Sequence, residues 1–150
     1  MDSSSILPLV MRWFHMIGAV TLVGSALYMY FALRAALPLL DGETREGFRT
    51  KVMNRWKHFV AAAFVLLFAS GFYNYLTITR HMHEDQPLYH MLFGVKFLLA
   101  LAAFALVFVV TSTMAWSVKL REKPLMWHLA VLTSIAVVLI ASYMRSMPTN

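Results

Sequence analysis

The sequence predicts an all-α integral membrane protein, a single four-helix up-down-up-down transmembrane bundle over residues 1–150 with both termini on the non-cytoplasmic side. Three observations carry this expectation. Charged residues make up only 13% of the chain, against about 25% in soluble domains. Four runs without Asp, Glu, Lys or Arg, at 13–33, 58–79, 97–118 and 124–144, are each about the 20 residues a helix needs to cross a bilayer. Basic residues then alternate in density between the connections. Arg34, Arg45, Arg49, Lys51, Arg55 and Lys57 lie between the first two runs and Lys119, Arg121 and Lys123 between the last two, whereas the other face has Arg12, Arg80 and Arg145. By the positive-inside rule the crowded connections are cytoplasmic, an N-out, C-out arrangement in the inner membrane of a bacterium. The net charge of +6 is therefore topological: the expected partner is the lipid bilayer, not nucleic acid.

The first helix is expected at about 6–36, with Pro8 tolerated in its first turn. The amino-terminal Met1-Asp2-Ser3-Ser4-Ser5 lacks the basic region of a cleavable signal peptide, so this helix is expected to be retained. Its pivotal stretch is Arg12-Trp13-Phe14-His15-Met16-Ile17-Gly18. An imidazole at the threshold of hydrocarbon is costly unless it is paired, protonated to some purpose or bonded to a metal. Gly18, Leu22, Ser25 and Met29 follow His15 at helical spacing, and the small Gly18 and Ser25 leave room for a neighbouring helix or a flat ligand.

A cytoplasmic link is expected at 37–51, broken by Pro38 and Asp41-Gly42: a solvated connection that fixes orientation, whose basic excess also suits anionic headgroups. The second helix is expected at 52–78. Trp56 reads as an interfacial anchor, Arg55 and Lys57 can reach headgroups or the propionates of a porphyrin, and His58 heads a face with Ala62, Val65, Ala69 and Phe72. The outer loop holds His81, Met82 and His83, the imidazole and thioether donors that copper accepts, in a segment that also reads as plain polar loop.

The third helix is expected at 87–118, with Lys96 its one charge, and is long enough to require tilt. Lys96 either snorkels outward or serves a site, and His90 heads a face with Gly94, Phe97 and Leu101. The fourth helix, at 124–146, follows Lys123-Pro124, proline being well placed at a helix start. Trp127 anchors it, and His128 lies above Leu132, Ile135 and Leu139.

The histidines suggest the chemistry. In an up-down bundle His15 and His90 belong to the outer half and His58 and His128 to the inner half, so imidazoles from opposite helices can hold one or two haem b groups. Depth qualifies the outer pair. If Leu33 and Val118 are level, stepping back at about 1.5 Å per residue puts His15 opposite Ala100, nearer Lys96 than His90. With no cysteine, thiolate-ligated haem and iron–sulfur clusters are excluded. No phosphate-binding glycine loop or nucleophile triad is apparent, which disfavours hydrolases and nucleotide-driven pumps.

The segment Trp13-Phe14-His15-Met16-Ile17-Gly18, the Arg55-bearing start of the second helix with Gly71 beyond it, and His90-Met91-Leu92-Phe93-Gly94-Val95-Lys96-Phe97-Leu98 resemble the HemJ-type protoporphyrinogen IX oxidases. They are also similar to the related CopD-like copper-resistance membrane domain. The resemblance covers three of the four helices. It implies a helical membrane protein binding haem b, with His15 and Lys96 at the family's functional positions, Lys96 and Arg55 as candidates for catalysis, and a porphyrin and a quinone as redox partners. The entry to the fourth helix departs from the pattern: Glu122-Lys123-Pro124 stands where the family has Asn-Glu-Pro.

The expected function is thus a haem b-binding membrane redox protein, either a protoporphyrinogen oxidase or a quinone-linked electron carrier. Two alternatives stay open: a copper-binding or transport protein using His81, Met82 and His83 with His90 and Met91, and a non-catalytic accessory subunit of a larger membrane complex. A homo-oligomer is compatible with each.

Overall fold

Each apolar run is helical over most of its length, and the run at 97–118 is broken at 112–114. The computed structural model describes residues 3–148. Helix α1 runs from Ser3–Leu27 and continues through a π-helical stretch, Tyr28–Leu33, then Arg34–Ala36 and a 3-10 turn, Leu37–Leu39. Leu40 is extended, and Asp41 caps the next helix by accepting from the Thr44 backbone N–H at 3.0 Å. Helix α2 spans Gly42–Asn74 and runs on through the π-helical Tyr75–Thr79 to Arg80–Met82.

The second helix therefore starts ten residues before the expected Val52, and most of the 37–51 link is helical. The physical reason lies in the link's own residues. Asp41 satisfies an orphan N–H of the first turn, and Arg45 donates through Nη2 to the carbonyls of Pro38 (3.4 Å) and Leu40 (2.8 Å), bracing the turn that the breakers make.

Helix α3, Pro87–Thr111, ends seven residues short of the expected Val118. Hydroxyls in Thr111-Ser112-Thr113 offer the backbone other partners. The Ser112 hydroxyl accepts from Met114 N–H at 3.2 Å, the buried Ser117 hydroxyl bonds the carbonyls of Ser112 and Met114, and Arg121 Nη1 donates to Ser112 O at 3.2 Å. The chain turns there into the short α4, Ala115–Arg121, before α5, Pro124–Arg145.

Among the described residues four helical stretches, Ile6–Leu39, Gly42–Met82, Pro87–Thr111 and Pro124–Arg145, are long and apolar enough to cross a membrane. Their directions alternate. His15 meets Gly71 while Ser25 meets Trp56 further along α1, and Phe97 packs on Phe68 and Phe72 while Phe104 stacks on Phe64. Helix α1 packs most extensively along α2, and α3 along α5.

Gly18 sets the first of these approaches: a Cβ there would fall 2.8 Å from Ala63 O, so only glycine fits. Ser25 sets the next. Its buried hydroxyl donates to Thr21 O and accepts the Trp56 indole N–H at 3.1 Å. Trp56 is thus an interhelical hydrogen-bond donor as well as the aromatic that its sequence position near the basic residues suggests.

The core has two layers. Leu22, Ala26, Val60, Ala63, Val107, Ala130 and Val131 fill the middle, and Met29, Leu33, Met53, Val110 and Trp127 fill the end nearer the basic connections. Outside it, large apolar side chains such as Val20, Val65, Leu98 and Leu139 stay mostly exposed. A surface this apolar suits hydrocarbon, not water.

Candidate functional site

A cavity of about 1020 Å³ opens between α1, α2, α3 and α5 toward the end of the bundle where the chain begins and α5 finishes. Its size lies at the upper end of the roughly 300–1,000 Å³ common for small-molecule sites. The walls are mostly aromatic and aliphatic: Phe64, Phe68, Phe72, Phe97 and Phe104 from α2 and α3 face Val137, Val138 and Ala141 from α5. Phe64 and Phe104 stack with centroids 3.8 Å apart, which stiffens that wall.

His15 is the best-positioned polar group in it. Its Nδ1 lies 3.2 Å from Leu67 O and 3.3 Å from Ser70 Oγ. A carbonyl can only accept, so Nδ1 carries the proton and donates. The Ser70 hydroxyl in turn donates to Leu66 O, leaving its lone pairs to share the imidazole proton. Nε2 then keeps its lone pair and has no partner among the described residues. An Nδ1–H donated to a backbone carbonyl is the usual way a protein orients a metal-ligating or proton-accepting imidazole.

Gly71 completes the cradle. A Cβ added there would come within 3.1 Å of His15 Cε1 and 3.3 Å of Nδ1, so the absence of a side chain lets the ring lie against α2.

Charge in the cavity is one-sided. Lys96 of α3 lines it and lies within electrostatic reach of His15, and Arg12 and Arg145 stand at its rim. No Asp or Glu is among the lining residues, and among the described residues Lys96 has no hydrogen-bond or ion-pair partner. Asn74 adds a buried acceptor: its amide N–H bonds Met11 O at 3.4 Å, while Oδ1 has no partner among the described residues.

The other candidate residues lie elsewhere. His90 sits outside the cavity lining, its Nδ1 2.9 Å from the Tyr75 hydroxyl. His58 and Arg55 are exposed on the first half of α2, away from the cavity. His128, also exposed, has both nitrogens engaged: Nδ1 is 2.8 Å from Pro124 O and Nε2 3.0 Å from the Tyr30 hydroxyl. The described contacts join neither His15 to His90 nor His58 to His128.

In the α2–α3 connection His81 is exposed beside Glu84, whereas His83 is buried, stacked on Tyr89 at 3.8 Å and bonded to Gln86. Met82 and His83 both line the cavity. Among the described residues no group of three or more His, Asp or Glu is arranged to hold a metal ion.

Ser70, Asn74, Arg12 and Arg145 were not singled out from the sequence as site residues. Ser70-Gly71 inside an otherwise apolar run is the one local signal that could have drawn attention to them. No family model, curated protein or solved structure matches the chain.

Proposed function

We propose that the chain is a haem b-binding membrane redox protein whose cavity holds the tetrapyrrole through His15. The observation that carries this reading is the state of that imidazole: Nδ1–H is committed to Leu67 O, and Nε2 is left with its lone pair in a cavity lined by cations and no carboxylate.

The lining residues fit such a group. Nε2 is an iron ligand of the right kind, the phenylalanine walls suit a flat apolar macrocycle, and Lys96, Arg12 and Arg145 suit its propionates. Haem supplies a one-electron couple when bound. The chain's own work is to fix the imidazole tautomer through Leu67 and Ser70, to neutralise carboxylates with Lys96 and the rim arginines, and to keep water from the apolar walls. Since His15 alone of the four helix-borne candidate histidines lines the cavity, one haem is the favoured number.

The resemblance to HemJ-type oxidases, carried by the residues around His15 and Lys96, supports a porphyrinogen substrate and a quinone acceptor. The same cationic lining suits the carboxylates of a porphyrinogen. The departure at Glu122-Lys123-Pro124 leaves a pure electron carrier as the second form of the same proposal.

The proposed setting is a bacterial inner membrane with both termini outside. Arg34, Arg45, Arg49 and Arg121 cluster at the bundle end opposite the His15 cavity, and the positive-inside rule makes that end cytoplasmic.

Reduced-minus-oxidised spectra of the detergent-purified chain, produced with ample haem, test the proposal. Soret and α bands are expected in the parent protein and in His58→Ala and His128→Ala, and their loss is expected in His15→Ala. Absence of bands in the parent protein, or their survival in His15→Ala, would overturn it. Consumption of protoporphyrinogen by the same preparation with a quinone separates oxidase from carrier.

A further inference from the structure

At the end of the bundle opposite the His15 cavity lies a second, smaller pocket of about 230 Å³, formed where the end of α1, the start of α2, the end of α4 and the start of α5 meet. Four arginines converge on it: Arg34, Arg45, Arg49 and Arg121. A single carboxylate, the exposed Glu122, lines it, and the floor is apolar, with Met53 and Trp127.

The guanidinium groups are only partly satisfied. Arg121 is 5% exposed, and Nη1 donates to Ser112 O, while its buried Nε has no partner among the described residues. Arg45 donates through Nη2 to Pro38 O and Leu40 O, and its Nε is likewise buried, with no partner among the described residues. Arg49 meets the exposed Glu46 at 3.3 Å, a contact of the kind that contributes little, and Arg34 lies over the Tyr30 ring at 5.7 Å. Burial and then the Arg49 charge hold the Arg121 guanidinium below its usual range, with Glu46 and Glu122 acting against them.

Four guanidinium groups around one small pocket with a single exposed carboxylate leave positive charge unmatched, and the partner that satisfies several guanidinium forks at once is a phosphoryl oxyanion. We propose that this pocket binds the phosphate of an anionic phospholipid headgroup. The pocket's place favours a lipid as the source: it lies at the edge of the apolar spans, where a headgroup stands with its acyl chains along the bundle, and the exposed Leu39 and Leu125 are close in sequence to its lining residues Pro38 and Trp127. Basic pockets between membrane helices are the usual receptors for such headgroups. The proposal is independent of haem.

Native mass spectrometry of the full chain in neutral detergent, titrated separately with phosphatidylglycerol, phosphatidylcholine and inorganic phosphate, tests it. Phosphatidylglycerol is expected to bind at least about tenfold more tightly than phosphatidylcholine, and Arg45→Gln and Arg121→Gln each to reduce that preference about tenfold. Lys119→Gln removes the same charge from the exposed face of α4 and is expected to leave the preference intact. Should Arg121→Gln fail to fold, Arg45→Gln and the less buried Arg34→Gln carry the comparison. No preference in the parent protein, or an equal loss in Lys119→Gln, would overturn the pocket. Saturation by inorganic phosphate with no lipid preference would overturn the lipid as source.

Discussion

At Gly71 a single methyl group separates a ring-holding helix from one that displaces the ring. The added Cβ of Gly71→Ala would press on His15 Cε1 at 3.1 Å and Nδ1 at 3.3 Å, so the ring must give by a few tenths of an ångström, which disturbs its bond to Leu67 O. We expect this variant to keep its thermal stability in detergent to within about 1 kcal/mol while its Soret band shifts or is lost, as read by absorption spectra and a melt on one sample. Gly18→Ala is the contrasting case. Its Cβ meets the Ala63 carbonyl and Leu67 N–H, backbone atoms that cannot swing aside, so the α1–α2 pair must part and a loss of about 1–3 kcal/mol is expected in the melt. Ser25→Ala, which strands the Trp56 indole N–H, is expected to cost about 1–2 kcal/mol by the same measurement. Spacing from His15 pointed to Gly18 and Ser25 as small positions on a packing face, because a 3.6-residue period exposes such faces directly. It did not reveal that Ser70 and Gly71 hold the imidazole, since that contact is made across 55 residues of chain and no local period encodes it.

Element boundaries followed hydroxyls and carboxylates more than hydropathy. The apolar run at 97–118 reads as one helix, yet Ser112 ends α3, because its side chain and carbonyl are claimed by Met114, Ser117 and Arg121. Likewise Asp41 starts α2 inside a segment whose charge reads as a solvated link. The cap has a pH signature. The Thr44 backbone N–H, then the Thr44 hydroxyl, hold the Asp41 carboxyl below its ordinary value. A depressed folded-state value means the stabilisation is fully present above the unfolded value of about 3.9 and is lost as pH falls through the folded one. In an NMR titration the Thr44 amide shift is therefore expected to turn over at a midpoint below about 3.9. Asp41→Asn, which still caps but does not titrate, should leave a flat trace there. A midpoint above the ordinary aspartate value would mean the cap is not formed in solution.

The bilayer makes the four spans legible from composition, because each must satisfy its backbone internally over a fixed length. Which side chains share an interior is set instead by helix pairing and rotation, and neither is written in any one span. All seven acidic residues lie outside the four charge-free runs, so the cations that reach the His15 cavity meet no carboxylate there. An interior with Lys96, Arg12 and Arg145 and otherwise phenylalanine and aliphatic walls should select a ligand that is apolar in its body and anionic at its edge. Protoporphyrin IX and its dimethyl ester share the macrocycle and differ in that edge, so their relative affinity isolates the charge. We expect the free acid to bind the purified chain more tightly than the ester, and Lys96→Met to remove about tenfold of the difference while leaving ester binding unchanged, with tryptophan quenching as the readout. Lys96→Arg, which keeps the charge, should retain the preference. If Lys96→Met weakens acid and ester alike, Lys96 shapes the wall and its ammonium does not recognise the ligand. If neither compound binds, the cationic lining serves some other anion and the tetrapyrrole reading fails with it.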